Sequence, residues 1–183
     1  MNPLPPLSPD LIAGSIQQLQ WVLQLLKNLS DKEYAQSLVL LNGASVGGHI
    51  RHSLEAYQTL VGQAHKGRIS YDSRKRNPQL ESDRQTAIDH LRYLQIWLEG
   101  LSPTDGHLLL EADVKVHAGE PQPFAVGTTL ARELLYCHDH LLHHLALLRV
   151  ALQVQWPLKE LPEEMGIAPS TLRFRLQSHP AQN

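Results

Sequence analysis

Apolar positions recur every three or four residues along four long stretches of the chain. Such spacing keeps one stripe of a helix apolar and leaves the rest polar. In the first stretch the stripe is Ile12, Ile16, Leu19, Leu23 and Leu26. Ser8-Pro9-Asp10 opens it, a serine cap followed by proline and an acid, and the helix is predicted to run to about Asn28. Ser30 to Leu41 reads as a connection with a short helical turn. A second helix is predicted from near Ser45 to about His65, with Val46, Ile50, Leu54, Tyr57 and Val61 as its stripe. A third carries Ala87, Leu91, Leu94 and Leu98; Ser82 with Gln85 gives it a capping-box pattern and Gly100 stops it. The fourth, capped by Thr128 or Thr129, carries Leu130, Leu134, Leu141, Leu145 and Leu148 to about Gln153.

Between the third and fourth helices the period changes to two. Leu110, Ala112, Val114 and Val116 alternate with Glu111, Asp113, Lys115 and His117, which is a strand pattern. Gly119 to Pro121 is expected to turn this strand back onto Pro123 to Val126. Lys66 to Glu81 is a long polar crossover, and the tail from Trp156 onward is less regular. The fold class expected is therefore all-α: a four-helix bundle with helices 2 and 3 parallel across the long crossover, and a small hairpin between helices 3 and 4. The 183 residues fit a single domain, 1–183, with a sizeable core.

Charge and composition narrow the class. A formal charge of -2 gives no general electrostatic reason to bind nucleic acid or an anionic membrane. The single cysteine, Cys137, excludes an internal disulfide framework and suits a reducing compartment. Met1 to Pro9 is proline-rich, without the basic start and apolar run of a signal peptide. Leu141 to Leu152 is interrupted by His143, His144 and Arg149, so it is a poor membrane span. The expectation is a soluble cytoplasmic protein with no nucleic-acid and no membrane partner.

The histidines carry the candidate chemistry. Six of the eleven fall in Gly48-His49-Ile50-Arg51-His52 and Cys137-His138-Asp139-His140-Leu141-Leu142-His143-His144. His140 and His144 lie one helical turn apart, the geometry of a two-point metal clamp. They share a face with Cys137, Leu141, Leu148 and Ala151, so that face points inward. A buried imidazole without a partner costs about 2–7 kcal/mol, and a metal would satisfy both rings at once. The third ligand comes from the second helix, either His49 or His52; a helical wheel sets His49 closer to the apolar stripe and His52 at its edge. Glu55, one turn after His52, is placed to orient an imidazole or to accept a proton. Cys137 reads as a buried core thiol.

These residues resemble the DinB/YfiT-like superfamily of metal-dependent proteins. Its helix 2 motif is similar to Ser45-Val46-Gly47-Gly48-His49-Ile50-Arg51-His52-Ser53-Leu54-Glu55, and its helix 4 motif to His140-Leu141-Leu142-His143-His144. Tyr71 to Arg76 through Glu81 to Arg84, and Gly166 to Arg173, resemble one of its subgroups. The chain departs from the frequent Arg-Gly-Gln ending of the helix 4 motif, with Leu145-Ala146-Leu147 in its place. The resemblance implies a four-helix fold, often a homodimer, with a divalent metal, zinc or nickel, held by His52, His140 and His144. It implies a small-molecule substrate, since relatives include transferases for low-molecular-weight thiols.

The expected activity is accordingly a thiol S-transferase-like reaction, with Glu55 as the acidic assistant. The alternatives are a metal-binding, structural or sensing bundle without catalysis, and a metal-dependent hydrolase. A further alternative comes from Leu161 to Leu176, which superficially resembles a helix-turn-helix DNA binder. Arg74, Lys75 and Arg76 read either as an anchor for an anionic substrate or as a solvated loop paired with Asp72 and Glu81.

Overall fold

The computed structural model of the protein describes residues 6–115, 119 and 124–178. Their elements are α1 (Pro9–Lys27), α2 (Asp31–Ala35), α3 (Val46–Gln63), β1 (Arg68–Ser70), α4 (Gln79–Ser82), α5 (Arg84–Glu99), β2 (Leu109–Val114), β3 (Phe124–Thr129), α6 (Leu130–Gln155) and α7 (Pro169–Ser178). The four long helices are the four read from the apolar stripes. α3 packs on α6 and α5, and α1 packs on α5 and α6. Leu19, Val22, Leu54, Tyr57, Leu91, Leu94, Leu141 and Leu145 meet between them and are fully buried.

Local chemistry sets the helix starts. The Ser8 hydroxyl accepts the Asp10 N–H at the start of α1, and the Ser45 hydroxyl accepts the Gly48 N–H at the start of α3. Thr129 rather than Thr128 caps α6, accepting from the Arg132 N–H. The capping box expected at Ser82 and Gln85 is replaced by Asp83, whose carboxylate accepts the Gln85 N–H. Ser82 instead ends α4 and donates its hydroxyl to the Pro78 carbonyl.

The expectation of an all-α four-helix bundle with a decorating hairpin is overturned. Among the described residues there are seven α-helices and a three-stranded mixed sheet in the order β1-β2-β3. β2 and β3 are antiparallel, from Leu109↔Thr129 to Val114↔Phe124. The third strand comes from the long polar crossover, where no strand was expected: β1 runs parallel to β2, with Ile69 opposite Ala112. Ile69 is fully buried and Arg68 forms an ion pair with Asp113 at 2.6 Å. A strand of three residues with one buried side chain has no readable period, which is why the crossover concealed it. The short α4 escapes the apolar-stripe reading for the same reason, while α2 is the short helical turn expected within Ser30 to Leu41. Val116, His117 and most of the turn of the predicted hairpin (120–123, including Pro123) lie outside the described residues.

The tail is clamped to α6. Arg149 Nη1 donates to the carbonyls of Pro162, Glu163 and Met165 at 3.2, 2.8 and 3.1 Å, and Met165 is fully buried. Gly166 has φ +73°, and a Cβ there would lie 2.6 Å from the Ala146 nitrogen. Residues 156–168 contain turns and no helix, so the alternative of a helix-turn-helix over Leu161 to Leu176 lacks its first helix. No helix among the described residues is long and apolar enough to cross a membrane.

Candidate metal centre

Two rods build the site. α3 carries His52, and α6 carries His140 and His144 on successive turns. Each of the three offers one ligand atom, and these atoms all lie within 4.8 Å of one another. The ring centroids are 4.9 Å apart for His52–His140, 5.0 Å for His52–His144 and 4.6 Å for His140–His144, all edge to face. Zinc–nitrogen bonds of about 2.05 Å at tetrahedral angles hold nitrogens about 3.3 Å apart, so the three rings would need to close by at most about 1.5 Å.

Burial keeps these rings neutral. Desolvation, and then the neighbouring imidazoles, pull His140 down to about 4 and His144 down to about 3. His52 is also lowered, by desolvation first and then by the Arg74 charge. A neutral imidazole keeps the lone pair that a metal ligand needs. The donor set therefore suits a divalent ion, and three imidazoles suit zinc, nickel, copper or iron.

His49, the other candidate on α3, takes a different place. Its Nδ1 is 2.9 Å from His144 Nδ1. One nitrogen must donate and the other accept. With His144 Nδ1–H donating to His49, the Nε2 lone pair of His144 stays free for an ion. A second ring nitrogen tied off in this way is the usual support of a ligating histidine. The helical wheel, which sets His49 closer to the apolar stripe and His52 at its edge, leaves the choice between them open. The imidazoles meet where α3 faces α6 sideways, at the edge of that stripe.

Glu55 is 1 % exposed and, among the described residues, makes no hydrogen bond to an imidazole. Arg51 Nη1 donates to both of its oxygens at 3.0 Å, Asn77 N–H donates to Oε1 at 2.9 Å, and Arg74 Nε donates to Oε2 at 3.4 Å. Its effect on the site passes through Arg74, whose Nη2 donates to His52 Nδ1 at 3.1 Å and whose Nη1 donates to the Tyr71 carbonyl at 2.8 Å. Arg74 is thus the anchored residue of the crossover, paired with Glu55 rather than Asp72, while Lys75 and Arg76 are exposed. Glu81 pairs with Arg51. A guanidinium only donates. An ion on His52 Nε2 would require Nδ1 to carry the proton, and Arg74 could not then donate to that nitrogen.

The remaining cluster residues lie outside this triad, His143 with its ring edge to face with His144 at 5.4 Å between centroids. His138 turns toward α1, with Gln18 Nε2 at 3.1 Å and Ser15 Oγ at 3.4 Å. His143 is exposed. Cys137 is fully buried, and burial pushes its thiol up. The sequence reading missed Tyr136, whose ring stacks on His140 at 5.7 Å with 19° between planes. The signal was available: 136 lies one turn before 140 on the same helix.

No family model matches the chain, and no solved structure matches it. A curated protein of Rhizopus delemar, FK506-binding protein 5, is 30% identical to it over 105 residues, which cover 57% of this chain and 27% of that protein. The chain thus matches about a quarter of the length of this curated relative.

Proposed function

We propose that the protein is a metal-dependent enzyme of the thiol S-transferase type, using a divalent ion, zinc or nickel, held by His52, His140 and His144. The observation that carries this reading is the convergence of three neutral imidazoles from two helices, their ligand atoms within 4.8 Å of one another. It is supported by the resemblance of Ser45–Glu55 and His140–His144 to the metal-binding motifs of the DinB/YfiT-like superfamily. Three protein ligands leave a position open for substrate, the hallmark of catalytic rather than structural sites. A divalent ion there supplies Lewis acidity, which favours the thiolate form of a small thiol at neutral pH. In the transfer, sulfur bonds to the carbon of an electrophile, the leaving group departs with its electron pair, and the thiol proton passes to solvent. The chain's own part is positional: His49 fixes the tautomer of His144, Glu55 anchors the Arg74 that gives up His52 Nδ1 when an ion is bound, and Tyr136 covers one face of His140.

Elemental analysis of the purified native protein tests the site. One equivalent of zinc or nickel is expected, lost in His52→Ala and in His140→Ala. His49→Gln should keep the metal at an affinity reduced by about 10–100-fold. Metal retained by His52→Ala but lost from His49→Gln would overturn the ligand assignment. The reaction is tested with a cobalt-loaded sample, small thiols and a panel of electrophiles. A visible spectrum indifferent to thiols, together with no conjugation, would remove the transferase reading. Unfolding of His140→Ala, in place of simple metal loss, would favour a structural ion.

A further inference from the structure

A second feature lies beside the imidazoles. Between the β2–β3 face and the first turns of α6 is a cavity of about 400 Å³. Tyr71, immediately after β1, and Tyr136 form part of its wall, with ring centroids 4.8 Å apart. Glu133 lies deepest of its charged residues at 7 % exposed, whereas Lys115 and Arg132 on the same lining are exposed. Glu133 accepts the Tyr71 hydroxyl at 2.8 Å and the Thr128 hydroxyl at 2.7 Å. Among the described residues no cation pairs with it.

This carboxylate calls for a partner. Buried carboxylates are paired in most proteins, because an unpaired ion in an apolar setting is costly. The N-terminal turn of α6 and two hydroxyls stabilise the charge in part. A carboxylate has about four acceptor positions, and the two hydroxyls fill two of them. Arg68 neutralises Asp113 on the same lining. The aromatic walls add attraction for a cation, since ring faces carry negative potential.

We propose that this cavity binds an amine: a small molecule whose protonated amino group is held by Glu133 and whose apolar body lies along Tyr71 and Tyr136. Tyr136 is shared with His140, so the bound molecule sits next to the imidazole cluster, yet the site does not depend on an ion being there.

The probe is 2-phenylethylamine, compared with 2-phenylethanol and phenylacetate, which share its body. Binding is measured by titration calorimetry on the full chain in EDTA. The amine should bind saturably, at least about tenfold more tightly than the alcohol, with phenylacetate weakest. Glu133→Gln should reduce amine affinity about tenfold, to the level of the alcohol, and Glu133→Asp should restore part of it. If Glu133→Gln fails to fold, Tyr136→Leu serves, with a loss of the same order. His140→Ala should lose metal but keep amine binding, which separates this proposal from the metal-centre reading. Equal binding of amine and alcohol, preference for phenylacetate, no saturable binding, or an unaltered Glu133→Gln or Tyr136→Leu would each overturn it.

Discussion

At the scale of single residues, the site consists of two short hydrogen-bonded chains meeting edge to edge. Glu55 leads through Arg74 to His52, and His49 leads to His144. Burial has a measurable effect here. His140 and His144 have ordinary values of 6.5 and are pulled to about 4 and about 3 in the folded protein. The unfolded chain therefore binds more protons than the native one between pH 6.5 and those lower values. Stability contributed by the neutral rings is complete above pH 6.5 and is lost as pH falls through that window. In chelator, the urea midpoint should be flat from pH 8 to 7 and decline steadily from pH 6.5 to 4.5. A midpoint independent of pH down to 4.5 would show that these rings titrate as exposed histidines do.

At the scale of elements, α3 is seated by a glycine. A Cβ on Gly47 would lie 2.1 Å from the Glu81 carbonyl oxygen and 2.9 Å from the Tyr34 ring. Gly47→Ala should therefore push the first turn of α3 off α4 and lower stability by about 1–3 kcal/mol. Gly62, on the exposed side of the same helix, meets nothing within 4 Å, and Gly62→Ala should raise stability by about 0.5–1 kcal/mol. Thermal unfolding of both variants checks the pair of opposite signs. The elements also show what the chain's pattern makes readable. Long stripes such as Leu134, Leu141, Leu145 and Leu148 locate α6 because burial on one side repeats many times. His140 and His144 follow from that helix directly. The partner from α3 does not, because choosing between 49 and 52 depends on how α3 lies against α6, and that is a tertiary fact. Burial of Glu55 depends equally on Arg74 and Asn77, which arrive from the crossover. β1 and the amine cavity depend on a parallel pairing across some forty residues, for which no local period exists.

At the scale of the whole molecule, the crossover divides the chain into two pieces of comparable weight. The first holds α1, α2, α3 and β1; the second holds α4 to α7, β2 and β3. The helix–helix interfaces α3 with α6 and α1 with α5, and the β1–β2 pairing, run from one piece to the other. Lys75 and Arg76 are exposed between them. Brief trypsin treatment should cut there first, giving two bands under denaturing conditions and one peak on a native sizing column. Separation of the pieces without denaturant would mean that the packing between them is weaker than described.

That division places His52 on one piece and His140 and His144 on the other. In the nicked protein the proposed ion, where bound, would act as a rivet between two separate polypeptides. Adding chelator should then lower the urea concentration at which they part, turning metal occupancy into a readout of assembly.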